Sequence, residues 1–360
     1  MLGMGLPGYD RPRVGWREDA PGQYTVWCAA DIADTPWWCG DEHAGAPVVH
    51  WPGGRAVMTR WEPGVPTPGR LVPAWTAAVT HRSPRALFPL WFGGPRAPTA
   101  DERPYVLSPA LARLAGTTDV HAHLGRLNGE DYAPALMAEL LAEAHVGRAW
   151  VSNLDGATFT QADTNRRVLE LVAGQPALQP VFWANPVEGL SADVEALLAD
   201  PRFVGLKFHP ELNIYPADDA RLDPYLERAA ERGFFALFHT DQAENSTPER
   251  LARLAARHPR VKFVAGHMGL WGAQARCLQV IRESKAQNIY GDLAWFHRWD
   301  LLADEIGAGR DDRFVFGSDA PVDGEESYQQ YLWVLHRMGA DASLLERLFV
   351  TNPRTLTPGC

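Results

Sequence analysis

His121 and His123 close the run Thr118-Asp119-Val120-His121-Ala122-His123. Alternate side chains of a strand share a face, so this pair aims two imidazoles into one space. Imidazole nitrogen is a ligand for divalent transition metals. Three further apolar runs end in a side chain of the same kind. Gly233-Phe234-Phe235-Ala236-Leu237-Phe238-His239 and Val261-Lys262-Phe263-Val264-Ala265-Gly266-His267 end in histidine, and Arg313-Phe314-Val315-Phe316-Gly317-Ser318-Asp319 ends in aspartate. A lone strand-end histidine is more often a hydrogen-bonded packing residue, and Asp319, just before Pro321, also suits a turn or helix cap. Neither bland reading explains four apolar runs with the same kind of ending.

The elements that must position these groups are legible in the pattern. From Gly116 onward, candidate strands at 118–123, 148–153, 179–185, 203–209, 234–239, 261–267, 288–294 and 313–319 alternate with candidate helices. The helices fall near 131–145, 161–173, 191–199, 220–232, 248–258, 272–284, 299–307 and 325–338. Asp223 with Pro224, and Thr247 with Pro248, read as helix starts, and Gly233 as a helix end. Leu251, Leu254 and Ala255 form one apolar stripe. Eight strand–helix units in series predict an α/β fold, a (β/α)8 TIM barrel, whose usual size is about 250 residues. Closure brings the first, fifth, sixth and eighth strand ends to one mouth, where barrel active sites lie.

The remaining residues, 1–115, form a different kind of segment. Trp16, Trp27, Trp37, Trp38, Trp51, Trp61, Trp75 and Trp91 stand among many prolines and glycines, without helical periodicity. Tyr24-Thr25-Val26-Trp27 and 46–51 read as short strands. The expectation is an irregular, β-leaning, Trp-rich N-terminal extension, followed by the barrel at 116–360. Its tryptophans are expected to pack on the barrel or on a second subunit rather than to line a substrate entrance.

Bulk properties narrow the partners. The chain has 360 residues, 46% hydrophobic and 22% charged, with a net charge of -10. This balance argues against nucleic acid or an anionic membrane as the main partner and leaves a small molecule. The four cysteines, Cys28, Cys39, Cys277 and Cys360, include no Cys-x-x-Cys pair. That usage suits a reducing cytoplasm, where a Cys28–Cys39 disulfide is not expected. No signal peptide and no run of membrane-spanning length is expected. A homodimer is the default assembly.

His121-x-His123, His239, His267 and Asp319, in that order at those strand ends, resemble the amidohydrolase superfamily. Gly205-Leu206-Lys207-Phe208-His209-Pro210, Phe238-His239-Thr240, Gly266-His267-Met268-Gly269 and Phe316-Gly317-Ser318-Asp319-Ala320-Pro321 resemble its amidohydrolase-related branch of barrel hydrolases. Aminocarboxymuconate semialdehyde decarboxylase belongs to that branch. The resemblance covers about 116–355. It implies that His121, His123, His239 and Asp319 bind a divalent metal, and that His267 ligates a second metal or works on the substrate. Such a donor set suits Zn²⁺, with Mn²⁺, Ni²⁺ or Fe²⁺ as alternatives. In some superfamily members a carbamylated lysine after the fourth strand bridges two metals, and Lys207 sits near that place. The alternative for Lys207 is an ammonium neutralised by Asp119 or Asp292. Asp119 is also a candidate proton acceptor for a ligating histidine.

The mouth offers Arg126, His209, Asn153, Trp295 and His297 as candidate substrate-binding residues. His145 and His258 fall at helix C-termini, where a cationic ring suits the dipole. The expected activity is a metal-dependent hydrolase directing metal-activated water at an ester, lactone or amide, with Asp319 and His267 as catalytic groups. One alternative is a metal-dependent decarboxylase or hydratase of an unsaturated or aromatic carboxylic acid, for which Arg126 would hold the carboxylate. The other is a non-catalytic metal-binding barrel. A serine hydrolase is disfavoured, because no Gly-x-Ser-x-Gly elbow occurs.

Overall fold

The computed structural model describes residues 108–357, apart from 128–129, 297, 323–327, 329–330, 333–334 and 336–339. The side chains of 108–109, Leu127, Glu130, Trp271 and Asp300 also lie outside the description. Before residue 108 the description covers only the backbone of six strands. They pair in the order Val14–Ala20, Gln23–Cys28, Val72–Val79, Gly54–Arg60, Ala46–Trp51 and Glu42–His43. Both short strands read from the sequence fall within this sheet. The packing of the tryptophans and the state of Cys28 and Cys39 lie outside the described residues.

The strand–helix alternation begins at Thr118–Leu127, the first barrel strand. It is followed by Arg148–Asn153, then Leu178–Pro180 with Phe182–Trp183, then Gly205–Phe208. Phe235–Asp241, Lys262–Leu270, Ile289–Asp292 and Phe314–Val315 complete the series. Neighbours in this order pair in parallel. The third strand is split at Val181, its first half pairing with the second strand and its second half with the fourth. The eighth segment returns to the first. Val120 N–H donates to Phe316 O (2.9 Å), Asp319 N–H to His121 O (2.7 Å) and His123 N–H to Ala320 O (2.8 Å). A parallel bridge joins Ala122 to Ala320.

The intervening helices run at Pro134–Ala144, Gln161–Leu171, Ala192–Leu198, Asp223–Arg232, Pro248–Arg257, Gln274–Glu283 and Trp299–Gly307. Helix punctuation follows the sequence. Pro224 and Pro248 occupy the first turns of their helices, and Gly233 ends one at φ 69°. Asp223 lies inside its helix rather than at the cap, and Thr247 makes no side-chain cap bond. Leu251, Leu254 and Ala255 are buried against the sheet, as the stripe requires. Of the helix expected at 325–338, only Tyr328, Tyr331, Leu332 and Leu335 are described, and all four are helical.

Alternation sorts the strand residues into two apolar sets. Val120, Trp150, Val181, Val204, Phe235, Leu237, Val264, Tyr290, Val315 and Leu356 form one cluster, to which all eight strand regions contribute. This is the barrel floor. Ala122, Val151, Leu206, Phe238, Ala265 and Phe316 belong instead to the larger cluster shared with the helices. On the second, fifth and seventh strands, side chains two residues beyond the floor therefore face inward one layer higher. That step converts Trp150 to Ser152, Leu237 to His239 and Tyr290 to Asp292. A ring of polar side chains sits directly above an apolar plug.

Candidate metal centre

The first strand is irregular where it matters. Its register against the second strand shifts between Asp119 and Ala122, and a bulge re-aims the side chains beyond it. Asp119 holds this irregularity. Its carboxylate accepts the His121 N–H (3.0 Å), the Ser318 N–H (3.2 Å), the Ser318 hydroxyl (2.5 Å) and the Tyr328 hydroxyl. Burial pushes Asp119 up to about 7, against the pull of these four donors. The expectation that Asp119 takes a proton from a histidine ring is corrected, because its contacts latch the first strand to the eighth.

Asp292 does that work instead. His121 Nδ1 donates to Asp292 Oδ2 at 2.7 Å, which leaves His121 Nε2 as the lone-pair nitrogen. Lys207 Nζ lies 2.9 Å from that Nε2. His121 Nε2 also lies 3.1 Å from His123 Nε2 and 3.2 Å from Asp319 Oδ1. His123 Nε2 lies 2.9 Å from the same Oδ1. Two nitrogens bound to a tetrahedral zinc at about 2.0–2.1 Å stand about 3.3 Å apart, so this spacing is that of ligands around one ion. His121, His267 and Asp319 likewise each present a donor atom within 4.8 Å of the others. Gly317 permits the approach, since a Cβ there would meet His121 Cβ and Asp292 Cβ at 2.9 Å.

His239 stands beside this group rather than in it. Its Nε2 donates to Asp241 Oδ2 at 3.0 Å, and its ring lies 4.9 Å from that of His267. The remaining Nδ1 is buried and has no hydrogen-bond partner among the described residues, as is also true of His267 Nδ1. His123 Nδ1 faces the Ser152 hydroxyl at 2.9 Å. Each of His121, His123 and His239 thus has one ring nitrogen held by a neighbour, namely Asp292, Ser152 and Asp241. Such contacts fix the tautomer and orientation of a ligating histidine.

Backbone strain accompanies the cluster. His267, Met268, Trp295 and Asp319 have φ of 65°, 45°, 54° and 61°. Each such non-glycine residue costs on the order of 1–3 kcal/mol and persists where its surroundings impose it. Asp292 Oδ1 accepts the His267 N–H at 2.7 Å, and the Tyr331 hydroxyl accepts the Trp295 N–H at 2.7 Å.

The electrostatics leave room for a cation. Burial keeps His121, His123 and His267 below the usual imidazole range, so they are neutral donors at pH 7. Burial opposes ionisation of Asp319, but His123, His121 and His267 outweigh it and hold the carboxyl well below its usual range. Burial pulls Lys207 down to about 8 and pushes Asp292 up to about 7. Lys207 bonds to His121, while Asp292 and Asp319, not Asp119, are the carboxylates whose charge favours its ammonium. Neutral imidazoles, an ionised carboxylate and orphaned buried nitrogens make a donor set that fits a divalent cation.

The other mouth candidates divide. Trp295 reaches the centre, where its Nε1–H donates to Asp319 Oδ2 at 2.8 Å. His209 also lies there, stacked 4.1 Å from His239. Arg126 does not, because its side chain is 71% exposed and 3.6 Å from Asp131. Asn153 is consumed by its own loop. Its Oδ1 accepts the Asp155 N–H and its Nδ2 donates to Thr164 O. His297 lies outside the described residues. His145 and His258 cap helix C-termini, as read from the sequence. The sequence reading missed Ser152 and Asp241. Both were within reach of simple alternation, since each follows an inward-facing strand residue by two positions.

With fold and site in view, comparison with known proteins assigns the class. The chain belongs to the amidohydrolase family, whose profile matches residues 119–356. No curated protein matches the sequence. Solved structures share the fold. A zinc-bound amidohydrolase from Burkholderia multivorans is 17% identical, with a TM-score of 0.54 over 68% of this chain and 99% of that one. A probable 2-pyrone-4,6-dicarboxylic acid hydrolase from Acinetobacter baumannii is 14% identical, with a TM-score of 0.51 over 68% and 99%. A 5-carboxyvanillate decarboxylase from Sphingomonas paucimobilis is also 14% identical, with a TM-score of 0.51 over 67% and 98%. These likenesses establish a TIM-barrel fold. Among the described residues, no helix is long and apolar enough to cross a membrane.

Proposed function

We propose that this chain is a metal-dependent hydrolase that cleaves an ester, lactone or amide of a small molecule with water. The mutual spacing of His121 Nε2, His123 Nε2 and Asp319 Oδ1, 2.9–3.2 Å, carries the reading. Those three residues would hold the ion, with the unpartnered His239 Nδ1 as a further donor and His267 left free for the substrate. A bound divalent ion, Zn²⁺ by donor type, supplies carbonyl polarisation and lowers the pKa of water to about 7.

The protein's own groups handle the protons. Trp295 Nε1–H occupies Asp319 Oδ2, so Oδ1 is the oxygen turned toward His121 and His123. Asp319, ionised, takes a proton from the attacking water and returns it to the leaving oxygen or nitrogen. Neutral His267 holds the carbonyl oxygen as negative charge develops there.

The competing decarboxylase or hydratase reading needs a cation for the substrate carboxylate. Arg126, its first candidate, faces solvent and Asp131, which favours hydrolysis. The fold does not choose, since a hydrolase and a decarboxylase both share it. A non-catalytic metal barrel would not need Trp295 to orient Asp319. The deciding experiment is metal analysis of purified protein followed by a panel of lactones, esters, amides and aromatic acids. Hydrolysis that requires metal supports the proposal. Carbon dioxide from the acids alone, or no turnover of any kind, overturns it.

A further inference from the structure

We propose that His209 is a fixed hydrogen-bond donor for an acceptor oxygen of the substrate, and that it does not ligate metal. This deepens the hydrolase reading and rests on it for the presence of a carbonyl substrate at the centre.

His209 follows the fourth strand two residues after Lys207, so the two share a face. Lys207 reaches His121 at 2.9 Å, which identifies that face as the one turned to the candidate metal centre. The residue between them, Phe208, turns the other way and stacks on Phe238. His209 is only 4% exposed. Two rings from the flanking strands lie near-parallel to it, His239 at 4.1 Å and 12° and Trp183 at 6.0 Å and 19°. A buried ring packed against near-parallel neighbours keeps its orientation.

The tautomer follows from the backbone. The Leu212 N–H donates to His209 Nδ1 at 3.2 Å. An amide N–H can only donate, so Nδ1 carries the lone pair and a neutral ring carries its proton on Nε2. That Nε2 is buried and has no hydrogen-bond partner among the described residues. A buried donor left unpaired is costly, so its place beside the candidate metal centre calls for an acceptor supplied by the ligand. A nitrogen bearing a proton offers no lone pair to a metal ion. His209 therefore differs in kind from His121 and His239, whose protonated nitrogens are turned onto Asp292 and Asp241.

Two variants isolate the donor. His209→Asn retains an acceptor for the Leu212 N–H and removes the Nε2–H. His209→Gln restores a donor near the Nε2 position. In zinc-loaded, full-length protein with ¹⁵N-labelled histidine, the His209 resonances, assigned by their loss in His209→Asn, should show a protonated Nε2 and a bare Nδ1. The opposite tautomer overturns the proposal. Zinc content should be equal in wild type and His209→Asn, and loss of zinc from the variant overturns it. With phenyl acetate as substrate, His209→Asn should lower kcat/KM by about 10- to 100-fold, the worth of one substrate hydrogen bond. His209→Gln should recover part of that loss, and unchanged kcat/KM in His209→Asn overturns the assignment. Acetate titration provides a readout without turnover. It should move the Nε2–H resonance in wild type, and a resonance indifferent to acetate overturns the proposal. Failure of wild type to cleave any carbonyl substrate counts against the hydrolase reading, whereas tautomer, zinc content and acetate response decide His209.

Discussion

Asp292 and Asp319 are both buried carboxylates at strand ends, yet their neighbours give them different work. Asp319 is approached by two imidazoles and the Trp295 N–H, and stays ionised. Asp292 accepts the His121 ring N–H and the His267 backbone N–H, so it orients two members of the cluster without standing among the closest donor atoms. Replacing Asp319 with Asn should lower kcat by about 10²- to 10⁴-fold, the usual worth of a positioned acid or base. Retained turnover would remove its proton-transfer role. Replacing Asp292 with Asn should weaken zinc binding by about 10- to 100-fold, the usual effect of losing such a supporting contact. Chelator competition measures this directly, and an unchanged affinity would show that His121 needs no such orientation.

The fifth strand, Phe235–Asp241, shows how one element serves both fold and site. All seven of its residues are buried. Phe235 and Leu237 fill the barrel floor, and His239 and Asp241 rise above them. Leu237→Ala should destabilise the protein by about 2–5 kcal/mol, because the closed floor cannot collapse around the void. Urea unfolding reads this, and a loss under 1 kcal/mol would mean a loosely packed interior. Outside the barrel, Asp218 joins the segment after the fourth strand to the helix Pro248–Arg257. Arg250 and Arg253 each donate to it at 2.7 Å. Burial opposes its ionisation, but these two guanidinium groups prevail and hold it below 3.8. Its contribution to stability is therefore present above the unfolded value and lost as pH falls through the lower folded one. The stability gap between wild type and Asp218→Asn should shrink as the pH is taken from 6 to 3. A gap that grows on acidification would contradict that sign.

Metal and fold should be linked across the barrel as a whole, because the proposed ligands come from the first, fifth and eighth strands. An ion that binds only the folded chain stabilises it by about 2.7 kcal/mol at 100 times its Kd. Chelation should lower the thermal midpoint, and zinc should restore it. A midpoint indifferent to both would exclude a structural contribution from metal at this centre.

Much of this was written along the chain. Hydrophobic runs of strand length, helix starts at Pro224 and Pro248, and a stop at Gly233 suffice to specify alternating strands and helices, because such signals are local. His121, His123, His267 and Asp319 were legible for the same reason, each ending an apolar run with a metal-liking side chain. Partnership was not legible. Asp119 and Asp292 are the same residue type, each near a histidine-bearing strand, and only the bulge in the first strand and the return of the eighth decide which one meets an imidazole. Arg126 and Asn153 looked equally suited to the mouth until a hairpin carried one outward and a loop consumed the other. Side-chain type and spacing are properties of the chain, whereas a hydrogen bond across 171 residues, like that from His121 to Asp292, exists only once the barrel has closed.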